Sequence, residues 1–237
     1  MKSQSQFLMV ALAISFTVVL ALAVALACLN PADTGTDPPN RESQATSAHA
    51  DLTTVEPPTT SPETEPPSPL ESLLFSSNGD GTCRLIGIGT NTDACVVIPD
   101  FSPAGDRVVE IAPRALYGTA TVTAIQIPAS VRVIGELAFA NCQNLIYISV
   151  NAQNPAFCDL DGILYTSDLR ALILYPPMRA GSSATIKDST VEIAPMAFYR
   201  CAYLSHVAYL GSAEDWERIS IGSQNYSLTA ASKSFLK

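Results

Sequence analysis

Residues 131–148 read VRVIGELAFANCQNLIYI, and the pattern of this stretch occurs three times in the chain. A shift from 134 to 193, or back to 111, brings residues of the same kind onto six positions. The three sets are Ile134, Ala138, Phe139, Cys142, Leu145 and Ile148; Ile193, Ala197, Phe198, Cys201, Leu204 and Val207; and Ile111, Ala115, Leu116, Thr119, Val122 and Ile125. Self-similarity at a period of roughly 20–50 residues indicates a repeat protein.

Each copy has the same predicted local structure: a short apolar strand, a turn, one helical turn that points Phe or Leu inward, and a Leu before the next strand. Pro113 and Pro195 lie where the helical turn would begin, a position that tolerates a missing N–H. Pro99 and Pro128 follow Ile and would end their strands, because proline cannot extend a ladder. One such unit cannot bury its apolar face alone, so we expect the copies to stack.

The motif Ile-Pro-x-Ser-Val, then Ile-Gly, then Ala-Phe-x-x-Cys-x-x-Leu, at 127–145, resembles the bacterial BspA-like leucine-rich repeats. Residues 79–90 resemble the N-terminal hairpin of that family, 161–176 a hairpin interposed between repeats, and 211–222 its closing segment. The resemblance covers nearly all of 73–230. It implies a β-rich α/β solenoid, a short leucine-rich-repeat stack with an N-terminal β-hairpin, an interposed β-hairpin unit and a C-terminal cap.

The composition divides the chain into three parts: residues 1–29, almost wholly apolar from Phe7 onward; residues 30–70, rich in Pro, Thr and Ser; and residues 71–237, the one part that can bury a core. Within 71–237 we expect repeats at about 96–127, 128–150 and 185–209, a hairpin insert at 151–184 and a cap at 210–230. The predicted repeat core is Ile111, Leu116, Ile134, Phe139, Cys142, Leu145, Ile193, Phe198, Cys201 and Leu204. Phe139 would have a repeat on either side, whereas Phe198 would lie in the last one.

The first segment is an export signal or a membrane anchor. Its apolar run ends in Ala25-Leu26-Ala27-Cys28, where small residues before a Cys resemble a bacterial lipobox with its usual order reversed. Three alternatives stay open: lipidation of Cys28, an uncleaved transmembrane helix, and plain secretion. In each of them the rest of the chain is exported. A diacyl anchor on Cys28 would hold the protein stably at the membrane.

Residues 30–70 are predicted to be a disordered tether. They contain nine of the seventeen prolines and have no sustained apolar pattern, so they cannot offset the entropy of ordering. Seven acidic residues lie there against one base, Arg41, while 71–237 has fifteen acids and eleven bases. This acidic balance excludes a nucleic-acid partner.

The polar residues of 71–237 have structural explanations. No Cys-x-x-Cys occurs, so we predict no metal and no cofactor, and we interpret Cys142 and Cys201 as buried repeat residues. A Cys83–Cys95 disulfide across the first hairpin stays open as an alternative. Asp159 and Asp161, beside Gly162, are interpreted as a hairpin turn rather than a catalytic pair.

Two further residues, His206 and Trp216, could have either a structural or a functional role. His206 is interpreted as an exposed strand residue rather than a catalytic base. Trp216 follows a capping box formed by Ser212 and Asp215, and we expect it to pack on the last repeat or to anchor a partner.

The remaining functional signal is the set of strand residues that alternate with the core. Ala124 and Gln126, Tyr147 and Ser149, and His206 and Ala208 would lie side by side on one solvent face. We take Gln126, Tyr147, Ser149 and His206 as the candidate ligand face. A surface recognition or adhesion module that binds a protein or glycan is favoured by aromatic and charged groups on this face. A structural envelope spacer is favoured by small polar ones. A hydrolase is the remote alternative; we predict that the chain is a monomer and not an enzyme.

Overall fold

The computed structural model describes residues 72–237, and the predicted signal or anchor segment and the tether lie outside these residues. Within 72–237 the chain winds into a β-solenoid of about six coils with little helix. Each coil contributes one strand to each of two flanks. The strands are β1 (Leu74–Ser77), β2 (Thr82–Gly87), β3 (Cys95–Val97), β4 (Arg107–Ile111), β5 (Ala124–Ile127), β6 (Val133–Ile134), β7 (Tyr147–Val150), β8 (Phe157–Leu160), β9 (Ile163–Thr166), β10 (Ala171–Leu174), β11 (Ser183–Ile186), β12 (Glu192–Ile193), β13 (His206–Tyr209), β14 (Ser220–Ile221) and β15 (Ser232–Phe235).

Four sheets result from this winding. The first sheet has the order β1-β2-β4-β6 and the second the order β3-β5-β7. The third sheet has the order β14-β12-β10-β9-β8 and the fourth the order β11-β13-β15. Pairing is parallel from coil to coil, and antiparallel only where β1 joins β2, β8 joins β9 and β9 joins β10.

The segment between the two strands of a coil is a series of turns, and the helical turn predicted there is wrong. Arg114, Leu137 and Met196 occupy equivalent positions, and each has a φ of 58°. A left-handed residue stops an α-helix, because its next N–H no longer points at the preceding turn. We call 112–118, 135–141 and 194–200 the turn segments. Gln224, with a φ of 63°, holds the same position one coil further on.

The turn segments also join one coil to the next. The N–H groups of Arg114, Leu116 and Gly118 donate to the carbonyls of Glu136, Ala138 and Ala140, over 2.8–3.1 Å. The N–H groups between them bond locally, from Ala115 to the Ala112 carbonyl and from Tyr117 to the Arg114 carbonyl. Alternate donors therefore serve the next coil, which explains why the backbone stays open rather than helical.

The region predicted as a cap forms a sixth coil, so the stack is longer than the three repeats found in the sequence. β14 pairs with β12 and β15 pairs with β13, both in parallel. Two short helices, α1 (Ala213–Trp216) and α2 (Tyr226–Ala230), connect these strands. Ser212 caps α1 by accepting a hydrogen bond from the Asp215 N–H, and Trp216 is buried with its ring edge-on to Tyr209.

The β8–β9 hairpin interrupts the stack between the third and fourth coils. Its turn at Asp161 and Gly162 has φ values of 51° and 78°, as a tight two-residue hairpin requires. The turn packs on β7, where a Cβ on Gly162 would lie 2.5 Å from the Tyr147 ring. β7 consequently does not pair with β11, and the core divides into two clusters, one mainly of coils 1–3 and one mainly of coils 4–6.

Candidate recognition surface

The candidate ligand-face residues are divided between two sheets. Ala124 pairs with Tyr147, and Gln126 pairs with Ser149, across β5 and β7 of the second sheet. His206 lies instead on β13 of the fourth sheet, so the prediction that all of these residues lie side by side is wrong. The β8–β9 hairpin explains the separation, because a sequence shift cannot show where a stack is interrupted. Ala124 is buried, contrary to its predicted exposure.

The second sheet presents a groove of mixed polarity. Val97, Gln126 and Ser149 form one outward row across three coils. The row is part of an open groove of about 330 Å³, which Asp100 and Asn151 also line. Val97 is 43% exposed, so the groove offers an apolar contact beside amide, hydroxyl and carboxylate groups. This combination can bind a polar ligand that has an apolar face.

Tyr147 contributes less to this surface than predicted, because it is half-buried under the Gly162 turn. Burial raises the pKa of its hydroxyl, and the nearby carboxylates of Asp159 and Asp161 act in the same direction. Asp159 belongs to β8 rather than to the turn, and its Oδ1 accepts a hydrogen bond from the Val150 N–H at 2.8 Å. Burial raises the pKa of Asp159, against the opposing hydrogen bonds from the Val150 and Gly162 backbone.

His206 is held between two hydroxyls of β15. Its Nδ1 lies 2.9 Å from Ser232 Oγ, and its Nε2 lies 3.0 Å from Ser234 Oγ. Ser232 Oγ also donates to the Ser205 carbonyl, so a hydroxyl stands where a catalytic triad would have a carboxylate. The outward neighbours on the fourth sheet, Ser183, Thr185 and Ala208, are small. This arrangement fixes β15 to β13.

The cysteines of the described coils lie in structural positions. Cys142 Sγ donates to the Leu116 carbonyl at 3.0 Å and lies 3.2 Å from Thr119 Oγ1, the residue in the equivalent position one coil earlier. Burial raises the pKa of Cys142, and that of Cys201 to about 12, so neither thiol ionises near neutral pH. Cys83 is a buried free thiol, so the Cys83–Cys95 disulfide alternative is wrong.

Nine of the ten predicted core residues are buried, and Ile134 is half-buried at the end of the first sheet. Two buried asparagines were missed by the sequence analysis. Asn154 and Asn225 each bond to neighbouring backbone through both the side-chain oxygen and the side-chain nitrogen. Neither lies in a repeat motif, so the sequence held no signal for them.

A patch of exposed apolar and charged residues at the first sheet was also not predicted from the sequence. Arg107 lies 5.8 Å from the ring centre of Phe101, which is 53% exposed, and Ile86 and Val133 are similarly exposed on the first sheet. Within 72–237, no group of three or more His, Cys, Asp or Glu could hold a metal ion. No helix in the same residues is long and apolar enough to span a membrane.

Residues 104–158, which contain the second and third coils, match the family model of the BspA type leucine rich repeat region (6 copies). Residues 104–158 therefore carry BspA-type leucine-rich repeats. The BspA-type match ends inside the β8–β9 hairpin, where the stack is interrupted. No curated protein matches the chain.

Several solved structures resemble these BspA-type repeats. The pneumococcal vaccine antigen PcpA is 24% identical over 46% of this chain, with a TM-score of 0.44. A leucine rich cell surface protein from Faecalibacterium prausnitzii is 31% identical over 54%, also with a TM-score of 0.44. A leucine-rich repeat protein from Eubacterium ventriosum is 21% identical over 59%, with a TM-score of 0.45. This chain covers 27%, 37% and 42% of those three chains.

Proposed function

We propose that the protein is an exported, surface-tethered recognition module that binds a protein or glycan and catalyses no reaction. The observation that carries this proposal is the groove of the second sheet, where Val97, Gln126 and Ser149 align across three coils. Stacked coils present such rows as a shallow, extended surface, which is the usual binding surface of a solenoid. The N-terminal segment would supply the tether, through lipid on Cys28 or through an uncleaved helix.

A structural spacer in the envelope is the second candidate. The fourth sheet favours it, because its outward residues other than His206 are small: Ser183, Thr185, Ala208, Ser232 and Ser234. We therefore place recognition in the first three coils and a supporting role in the last three. The proposed partner is a protein or glycan at the cell surface, and we propose that the chain binds it as a monomer.

A matched pair of variants tests the groove. The full chain is screened against a glycan array and a panel of extracellular-matrix proteins, and Gln126→Arg is compared with Thr185→Arg on the best probe. Gln126→Arg places a long cation in the groove, whereas Thr185→Arg does so at an exposed position of the fourth sheet. We expect at least about a tenfold loss of affinity for the first variant alone, roughly 1.4 kcal/mol. Binding that Gln126→Arg leaves intact would refute the groove, and the absence of any bound probe would favour the spacer.

A further inference from the structure

The turn segment of the third coil has backbone donors that no acceptor meets. In the second coil, Leu116 donates to Ala138 of the next coil, and in the fourth coil Tyr175 donates to Ala197. The equivalent donors of the third coil are the N–H groups of Leu137, Phe139 and Asn141. None of the hydrogen bonds formed by residues 72–237 begins at these three groups. Such a run is unusual, because backbone donors in native proteins are almost always paired.

These donors border an apolar cleft between the third coil and the fourth and fifth coils. The cleft, partly open to solvent, has a volume of about 110 Å³ and is lined by Ile134, Glu136, Phe139, Ile173, Leu174 and Pro195, among others. It exists because β10 turns back to pair with β9 rather than with β6, which leaves β6 at the edge of the first sheet. A volume of this size accepts a small apolar side chain of an extended segment that lies along the turn segment.

We infer that this cleft, which is distinct from the second-sheet groove, binds an extended peptide segment of a partner protein. The carbonyls of that segment would accept hydrogen bonds from the N–H groups of Leu137, Phe139 and Asn141, as the carbonyls of the next coil do for the second coil. A bound chain contributes main-chain hydrogen bonds for affinity and side-chain contacts for specificity. The three free groups of the turn segment are all donors, so the segment needs only carbonyl oxygens and can contain proline. Its inward side chains are small and apolar, to match Ile134, Phe139 and Ile173.

The charge of the cleft selects the partner further. Glu136 is the one charged residue among those that line it, and it is exposed at the rim. A segment with a Lys or Arg beside its apolar centre therefore complements the cleft. The chain's own residues 30–70, with seven acids against one base, are disfavoured by the same carboxylate.

The test is a selection of random seven-residue peptides displayed on phage, performed on the full chain and on Ala194→Phe. Ala194 lines the cleft, so the larger side chain fills it. Peptides enriched on the wild type alone are then synthesised. We expect them to contain Lys or Arg and to slow amide exchange of Leu137, Phe139 and Asn141 at least about tenfold. The already bonded amides of Arg114, Leu116 and Gly118 should not change.

Two charge reversals at exposed positions probe peptide binding without changing the core, so their effect does not depend on folding. Glu136→Lys should weaken the selected peptides at least about threefold, because it makes the rim repel them. Glu217→Lys, on the sixth coil, should leave their affinity unchanged. Gln126→Arg should also have no effect, which separates this cleft from the recognition groove.

Three results would overturn the inference. One is a selection that enriches no peptide over Ala194→Phe. Another is a set of enriched peptides that leave the three amides unprotected. The third is a ligand-free chain in which these amides already exchange as slowly as those of the second coil, since the cleft would then be closed or filled by residues 30–70.

Discussion

Asp159 is a single residue that couples the inserted hairpin to the repeat stack. Its carboxylate accepts from the Val150 N–H at 2.8 Å while burial raises its pKa, so the fold favours the neutral acid. A raised pKa means that the native state binds more protons than the unfolded chain. The contribution of this group to stability is therefore greatest at low pH and is lost as the pH rises above its ordinary value of 3.8.

We expect Asp159→Asn to keep the acceptor and remove this pH dependence. Relative to the wild type, its free energy of unfolding should rise as the pH is raised from 3.8 and then level off. Asp159→Ala should instead lose about 1–3 kcal/mol at neutral pH, because the Val150 N–H loses its acceptor. Urea titrations of the three proteins between pH 3.5 and 7, roughly the span in which carboxyls titrate, measure both effects. Identical pH profiles for wild type and Asp159→Asn would contradict the assignment.

Asn225, in the sixth coil, joins that coil to the turn segment of the fifth. Its Oδ1 accepts from the Phe198 N–H at 2.8 Å, and its Nδ2 donates to the carbonyls of Ala194 and Gly222. Asn225→Ala should lower the free energy of unfolding by about 1–3 kcal/mol, because the Phe198 N–H and the Ala194 and Gly222 carbonyls lose their hydrogen-bond partner. Asn225→Asp keeps the acceptor alone and should be intermediate. Equal stability of the three proteins in chemical denaturation would contradict this role.

At the scale of elements, the repeated strands could be predicted from the sequence, and the interruption could not. Strand pairs recur with core residues at fixed positions, which is why Ile111 and Ile193 were correctly aligned. The sixth coil was missed because its turn segment breaks the pattern, with Asn225 in place of a backbone acceptor and α2 after it. The place of His206 depends on how the inserted hairpin packs, and no local periodicity encodes that packing.

The sixth coil changes the expected effect of core truncations. Phe198 was expected to lie in the last repeat. It lies instead in the fifth coil, with a coil on either side. Phe139 and Phe198 belong to different core clusters. Truncating either to Ala should cost about 3–5 kcal/mol and reduce amide protection first within its own cluster. Hydrogen exchange on both variants checks this, and uniform loss across both clusters would show that the core is continuous.

At the scale of the whole molecule, the proposed N-terminal anchor and the folded part should be separable. Residues 71–237 should fold alone, because the apolar residues of the six coils pack against one another in two core clusters. A purified 71–237 fragment should show a cooperative thermal transition by circular dichroism. A fragment without one would place part of the fold before residue 71.

Attachment to the membrane through lipid gives a second whole-molecule prediction. Cys28→Ala should leave the precursor unprocessed or release the protein from the membrane fraction, because the acyl chains supply the attachment. Fractionation with mass determination of both proteins measures this. A mutant that stays membrane-bound at the same full length as the wild type would favour the uncleaved helix.

The central claim is a stack of six coils that is interrupted once, between the third and the fourth. Leu116, Phe139, Tyr175 and Phe198 hold equivalent positions in four successive coils, and all but Phe139 have an N–H bonded to the next coil. Residue-resolved hydrogen exchange on the ligand-free chain tests this most directly. We predict slow exchange at Leu116, Tyr175 and Phe198 and exchange at least about tenfold faster at Phe139. Equal protection at all four would contradict the interruption, and an unprotected Phe198 would contradict the sixth coil.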